Sequence, residues 1–444
     1  MKPVNMPSLL LFFLLLLGCN TDTATPPSTT IEVVSPDLAR ALPDSTLELT
    51  LRVTAERNVT RVTVNSVPMV REDADALWSG NVPLTGGLNT LNMEVWSDAE
   101  VLLSEETHTL VARAEVRVNE DNTLPFYMGG HTLTPVTNDW LILTGGSFGA
   151  GGEGYNDIHF RPDDLPLFVP DQKGMAAVRV GHTALALPDD RVIVLGGGTA
   201  GNITDPSELV EIVEIVQKEG YAMEIPVIGD PIRRMYHTAS LKTGENGTFI
   251  TLFGGRGDVQ YTPVPELGIR NDVRLFELRN DTLFARTTAI GPGIEPMAGH
   301  VQVALDDAPL GEHRRYLVHG FRMGDTLVPE TMIFDEDTEA GLLFASAPGP
   351  AHPRLRSAAV HIPGVGAALF GGRSADGSEM ISEIELFVEA ANRFFSIPVV
   401  GELMPQPRFG HTATRLADGR IILVAGFDET NAPRRDVDIL TLTF

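Results

Sequence analysis

The 444-residue chain contains a single cysteine, Cys19, so no intrachain disulfide can form. Lysine is almost as scarce: Lys2, Lys173, Lys218 and Lys242 are the only ones among 33 basic residues, which leaves 29 arginines. Positive charge is in deficit, because 59 acidic residues give a formal net charge of -26. Such a field repels nucleic acid. The carboxylates are spread along the chain rather than clustered, which favours a solvated surface suited to concentrated salt, with an acidic cation-binding face as the competing reading. The apolar stretch Leu9 to Leu17 falls far short of the roughly 20 residues a spanning helix needs. Gly-rich phosphate loop, nucleophile elbow and H-E-x-x-H pattern are all missing. With 43% hydrophobic residues the chain can still bury a large core, and its length suggests two or three domains.

A positive start at Lys2 followed by a short apolar core reads as a secretory signal. Leu16-Leu17-Gly18-Cys19 resembles the lipobox of bacterial lipoproteins, which implies a signal peptide over 1–19 and lipid attachment at Cys19. The competing reading is an ordinary cleaved signal with a chance cysteine. Asn20, rather than Asp, after the cysteine favours the outer membrane of the cell envelope. Residues 20–30, rich in Thr, Pro and Ser, read as a disordered tether. From 31 to 118, runs such as Leu47 to Val53 and Leu91 to Val95 alternate at period two, the mark of strands buried on one face. With Val62 to Pro68, Trp78 to Leu84 and Gly87 to Leu91, this stretch resembles a bacterial Ig-like β-sandwich, in which Trp78 would be core.

Between Gly129 and Phe444 one phrase recurs six times at a period of roughly 50 residues. It opens at Gly130-His131, Gly181-His182, Tyr236-His237, Gly299-His300, Arg356-Ser357 and Gly410-His411. It stops at Gly145-Gly146, Gly196-Gly197, Gly254-Gly255, His319-Gly320, Gly371-Gly372 and Ala425-Gly426. Inside each copy a small and apolar strand, a polar turn and a fully apolar strand spell a hairpin whose second strand is buried on both faces. Third strands are expected at Asn156 to Phe160, Leu209 to Ile215, Asp272 to Leu278, Thr331 to Phe334, Ile384 to Val388 and Val437 to Leu440. Phe334 to Thr338 reads as an acidic turn, without the spaced ligands of a calcium loop.

These copies resemble kelch repeats, whose hallmarks are the Gly-Gly pair after an apolar strand and an R-x-G-H opening. The resemblance implies an all-β chain: an Ig-like sandwich followed by a six-bladed kelch propeller over 123–444. The last copy ends without an outer strand, so Thr123 to Met128 is expected to supply it and close the ring. In a kelch propeller the first strand lines the channel, which puts the R position and the residue after Gly-Gly on one rim. That rim would gather Arg179, Arg234, Arg354 and Arg408 with Arg256 and Arg373, a set suited to a carboxylate, phosphate or sulfate. Copies one and four carry Met128 and Met297 instead. The competing reading has these arginines pairing with Asp or Glu of neighbouring blades. His131, His182, His237, His300 and His411 fall one per blade, too far apart to converge on a metal, and read as framework.

The functional expectation is an exported, lipid-anchored binding protein that recognises an anionic protein or glycan partner in the cell envelope, with no cofactor, no metal and no nucleic acid. The alternative is a sugar-modifying enzyme of the sialic-acid mutarotase-like kelch type. The copper site of galactose oxidase, another kelch-type protein, needs a cysteine this chain cannot spare, and Ser374-Ala375-Asp376-Gly377 matches only the beginning of a sialidase turn.

Overall fold

The computed structural model describes residues 29–72, 76–136, 140–162, 169–170, 174–217, 221–244, 247–258, 267–286, 296–309, 312, 315–323, 326–338 and 341–444. The signal segment, Cys19 and most of the tether lie outside the described residues. The fold is nearly all β, with 60% of the described residues in strands. Among the described residues there is no α-helix, and none long and apolar enough to cross a membrane.

Two compact units emerge: residues 29–36 with Glu48–Asn81 and Asn92–Glu106, and Asp37–Leu47 with Val82–Leu91 and Thr107–Phe444. The strand Thr46–Thr54, most of which lies in the first unit, buries Leu47, Leu49, Leu51 and Val53 while the residues between them reach solvent or are half-buried. That alternation follows from the pleat, which sends successive side chains to opposite faces. Val62, Val64, Met93 and Val95 are buried likewise, and Trp78 is 5% exposed with Arg71 over its ring at 5.8 Å.

The second unit contains six radial sheets, the blades. Their innermost strands are Thr132–Val136, Thr183–Ala186, Thr238–Gly244, Val301–Ala304, Ala358–Ile362 and Thr412–Arg415. Each touches the next, and the sixth touches the first, so the cycle closes. Second strands such as Val192–Leu195 and Gly366–Phe370 are buried at every position, because each is clasped between two neighbouring blades. The sixth blade borrows its outer strand from the N-terminal side: Glu115–Met128 runs antiparallel to Arg434–Thr443, with Met128 opposite Arg434 and Glu115 opposite Thr443. The closing strand begins well ahead of Thr123 and leaves no free edge at the seam. One turn is corrected. Phe334, Asp335 and Glu336 belong to the long strand Leu327–Thr338, where Phe334 and Asp335 pair with Phe344 and Leu343. Phe334 is buried against Phe344, and that packing prevails over the acidic composition.

At the hub, the residue before each repeat histidine, and Arg356 before Ser357, takes left-handed backbone, with φ between 53° and 66°. These six residues are joined head to tail by backbone bonds. Gly181 N donates to Gly130 O (3.1 Å), Tyr236 N to Gly181 O (2.6 Å), Gly299 N to Tyr236 O (2.9 Å), Arg356 N to Gly299 O (2.9 Å), Gly410 N to Arg356 O (2.8 Å) and Gly130 N to Gly410 O (2.8 Å). The circuit needs one left-handed residue per blade, which is why glycine holds four of the six places.

Candidate functional site: the mouth over the hub

The repeat motif first builds the wall that the mouth stands on. A Cβ on Gly145 would sit 2.6 Å from Cε1 of His182, which belongs to the next blade, and one on Gly146 would sit 3.0 Å from Cβ of its own blade's His131. The pair is therefore the socket for two histidines. His182 Nε2 bonds Thr132 and Thr144 of the preceding blade at 3.1 Å each, and His131 Nε2 bonds Thr412 of the sixth at 3.0 Å. Burial pushes His131 and His300 down to about 3 and holds His182, His237 and His411 well below the usual imidazole range, so all five are neutral framework. Among the described residues no group of His, Cys, Asp or Glu could hold a metal ion.

The irregular copies four and five make one compensating pair. His319 stands where four of the other blades carry the first glycine, at the one junction whose following blade has Ser357 instead of histidine. Its buried ring accepts from Arg354 N at 3.2 Å and bonds Thr331 at 2.8 Å. An imidazole thus fills this junction from the other side. At the seam Ala425 holds the first-glycine place with φ 52°, so a single methyl group fits there.

Four of the six arginines expected at the rim are not there. Arg179, Arg234, Arg354 and Arg408 are 0–1% exposed, and a side chain with no surface cannot meet a ligand. Each forms an ion pair across its own blade: with Glu214, with Asp272 at 2.9 Å, with Glu385 and with Asp438. Nη1 of the first three also donates to the carbonyl of the blade's first glycine, Gly196, Gly254 or Gly371. The pairing is therefore within blades, not between neighbours. The repeat carries the signal for it. Opposite the residue two before the first glycine, the third strand holds Glu214, Glu385 and Asp438 in blades two, five and six. Blades one and four, which replace the arginine by buried Met128 and Met297, hold His159 and Ile333 there. Blade three has Arg274 at that place and takes its carboxylate from Asp272.

Arg256 and Arg373 do reach the mouth. They line a cavity of about 550 Å³ with Arg356, Tyr236, Asn202, Asn431, Ala150, Gly151 and Gly201 among others. Its described lining has three guanidinium groups and no carboxylate, in a chain of net charge -26. Tyr236 and Arg356 are the two hub residues that are not glycine, and they also border the narrower axial channel beneath. Holding such residues left-handed costs about 1–2 kcal/mol each, a strain concentrated at functional positions. The Arg356 guanidinium lies 4.2 Å from the centre of the Tyr236 ring and 5.6 Å from that of Phe409, and Arg373 lies 4.4 Å from Phe409. The Tyr236 hydroxyl donates to Gly201 O at 2.7 Å, and Arg373 Nη1 to Asn431 Oδ1 at 3.4 Å. Burial and the positive charge of Arg356 both lower the pKa of Arg373, against a smaller pull from Tyr236. Two like charges held side by side stabilise an anion between them.

Sequence reasoning missed Arg356 and Tyr236 as site residues. Their signal was present as departures from Gly-His in copies three and five.

No protein-family model matches the chain, and no curated protein does. Among solved structures the chain is similar to YjhT, with a TM-score of 0.51 and 11% identity over 73% of this chain and 99% of that one. It also resembles a fungal alcohol oxidase in complex with copper, with a TM-score of 0.48 and 13% identity over 92% of this chain and 76% of that one. The likeness to YjhT concerns the fold alone, an all-β chain of the kelch propeller type.

Proposed function

We propose that the mouth binds a carboxylate-bearing sugar, and that the protein works as a lipid-anchored binding protein of the cell envelope, tethered through Cys19 with an Ig-like spacer before the propeller. The observation that carries this reading is the cluster of Arg256, Arg356 and Arg373 in a cavity whose described lining has no acidic group. Each arginine is a planar fork of donors that matches a carboxylate in two-pronged fashion. A volume of about 550 Å³ is that of a small-molecule pocket and suits one sugar ring with its substituents. Asn202, Asn431 and the flanking backbone would meet the neutral hydroxyls.

The test is calorimetric titration of the full chain with sialic acid and with its methyl ester, which keeps every atom of the ring and loses the charge. The acid should bind at least about ten-fold tighter, since hydrogen bonds to charged groups contribute roughly 1.5–3 kcal/mol. Equal binding of acid and ester would remove the anionic reading.

A second reading is a sugar-modifying enzyme of the sialic-acid mutarotase-like type, supported by the propeller fold shared with YjhT. Opening a sugar ring needs a group that gives and takes protons, and the titratable side chain for that role in the cavity's described lining, besides the arginines, is Tyr236, whose hydroxyl donates to Gly201 O at 2.7 Å. Anomer interconversion followed by NMR, with Tyr236→Phe as control, separates catalysis from binding: a rate equal to background rejects the enzyme.

A further inference from the structure

Where the loop after Gly145-Gly146 meets the end of the closing strand, through the bridge between Gly129 and Ser147, two aromatic rings stand in solvent. Phe148 is 62% exposed and Tyr127 43% exposed. Their centroids lie 6.3 Å apart at 83°, and the Arg435 guanidinium caps the Tyr127 ring at 5.2 Å. An exposed phenylalanine on its own is ordinary. Here the loop is pinned. Ser147 Oγ donates to Gly149 O (2.7 Å), Gly152 N to Gly149 O (3.0 Å), Gly201 N to Gly152 O (2.9 Å) and Ala150 N to Asn431 O (3.2 Å). Those bonds tie it to the second blade on one side and the sixth on the other. The same loop presents Ala150 and Gly151, two and three residues beyond Phe148, to the cavity.

We infer that the exposed Phe148 ring, held edge-to-face against the Arg435-capped Tyr127, forms a second subsite, a platform for the sugar ring next to the acidic one, so that the ligand is the acidic end of an oligosaccharide rather than a free monosaccharide. This rests on the proposal that the cavity takes an acidic sugar. One side of a pyranose is a patch of C–H groups that lies flat on an aromatic face, while its hydroxyls at the rim meet donors such as Arg435. The platform is fixed before binding, so little ordering entropy opposes the contact. Two rings and one arginine are too small a surface for a stable protein interface, which takes about 800 Å² per partner, but they match one sugar residue.

The experiment titrates the full chain and the Phe148→Ala variant with sialic acid and with sialyllactose, whose acidic ring is followed by neutral ones. Phe148 is exposed, so its loss leaves the fold intact. Sialyllactose should bind the full chain about three- to ten-fold tighter than sialic acid, the range expected of one aromatic contact, and the variant should lose that difference. Equal affinity of the two sugars for the full chain, or an increment that survives in Phe148→Ala, overturns the platform while leaving the anionic cavity standing. If neither sugar binds, both readings fall.

Discussion

Arg354 and Arg356 stand two positions apart and do opposite work. Arg354 is 0% exposed, ion-paired with Glu385 and bonded to the carbonyls of His352, Gly371 and Glu383. Arg356 sits at the hub on a strained backbone, lies on Tyr236 and faces the cavity. The contrast extends to the whole propeller: one set of guanidinium groups is used up by the framework, and another is held open on aromatic faces. A buried charge that loses its partner is costly, whereas an exposed one has water to fall back on. Stability effects and ligand effects should therefore separate residue by residue.

The largest effect expected on the framework is its response to acid. His131, His182, His237, His300, His319 and His411 all have their pKa lowered from 6.5, burial being the first cause for each. The unfolded chain then binds more protons than the folded one below about pH 6.5. Their contribution is complete above that pH and is lost as pH falls, at about 1.4 kcal/mol per pH unit for each group. Asp438 acts in the opposite sense: burial raises it to about 6 against the pull of Arg408, so its contribution is present below about pH 4 and is lost as pH rises through 6. Six groups outweigh one. Denaturant titrations should show stability falling steadily from about pH 6.5 towards 4, and a flat profile would contradict the buried neutral histidines.

Next comes the ion pair. Arg354→Ala should destabilise the protein by about 3–5 kcal/mol through the stranded Glu385, as read from denaturant midpoints. A loss below about 1 kcal/mol would erase the distinction between framework and mouth.

A smaller effect tests the junction of blades four and five. Ser357→His forces a second imidazole towards His319 and should cost about 1–3 kcal/mol, while adding His319→Gly restores the ordinary socket. A double-mutant coupling near zero would show that the two departures are unrelated.

Smallest in stability, and sharpest for function, is Arg356→Gly. Relief of the left-handed strain offsets the lost stacking, so stability should shift by less than about 1 kcal/mol. Binding of the acidic sugar should nevertheless fall about ten-fold or more.

Much of the propeller was legible before any coordinate. Gly145-Gly146 and its counterparts marked strand ends, and Val192 to Leu195 announced a strand buried on both sides. The placement of Arg179, Arg234, Arg354 and Arg408 was not legible from their proximity to the rim. An R-x-G-H opening gives a residue's distance along the chain and not the direction of its side chain. The acid that claims each one lies about 30–40 residues later, on the third strand or, for Asp272, just before it, and the match of Arg with Glu or Asp in blades two, five and six, and of Met with His159 or Ile333, is the clue that reaches across that gap.

The sequence by itself determined the count of repeats, the hairpin in each and the glycine sockets, because these depend on local periodicity and on backbone conformations few residues adopt. Only the tertiary structure decided which arginines are consumed and which are offered. That choice turns on burial and on partners brought from distant strands, and a charge has no assigned role until the dielectric and the counter-charge around it are known.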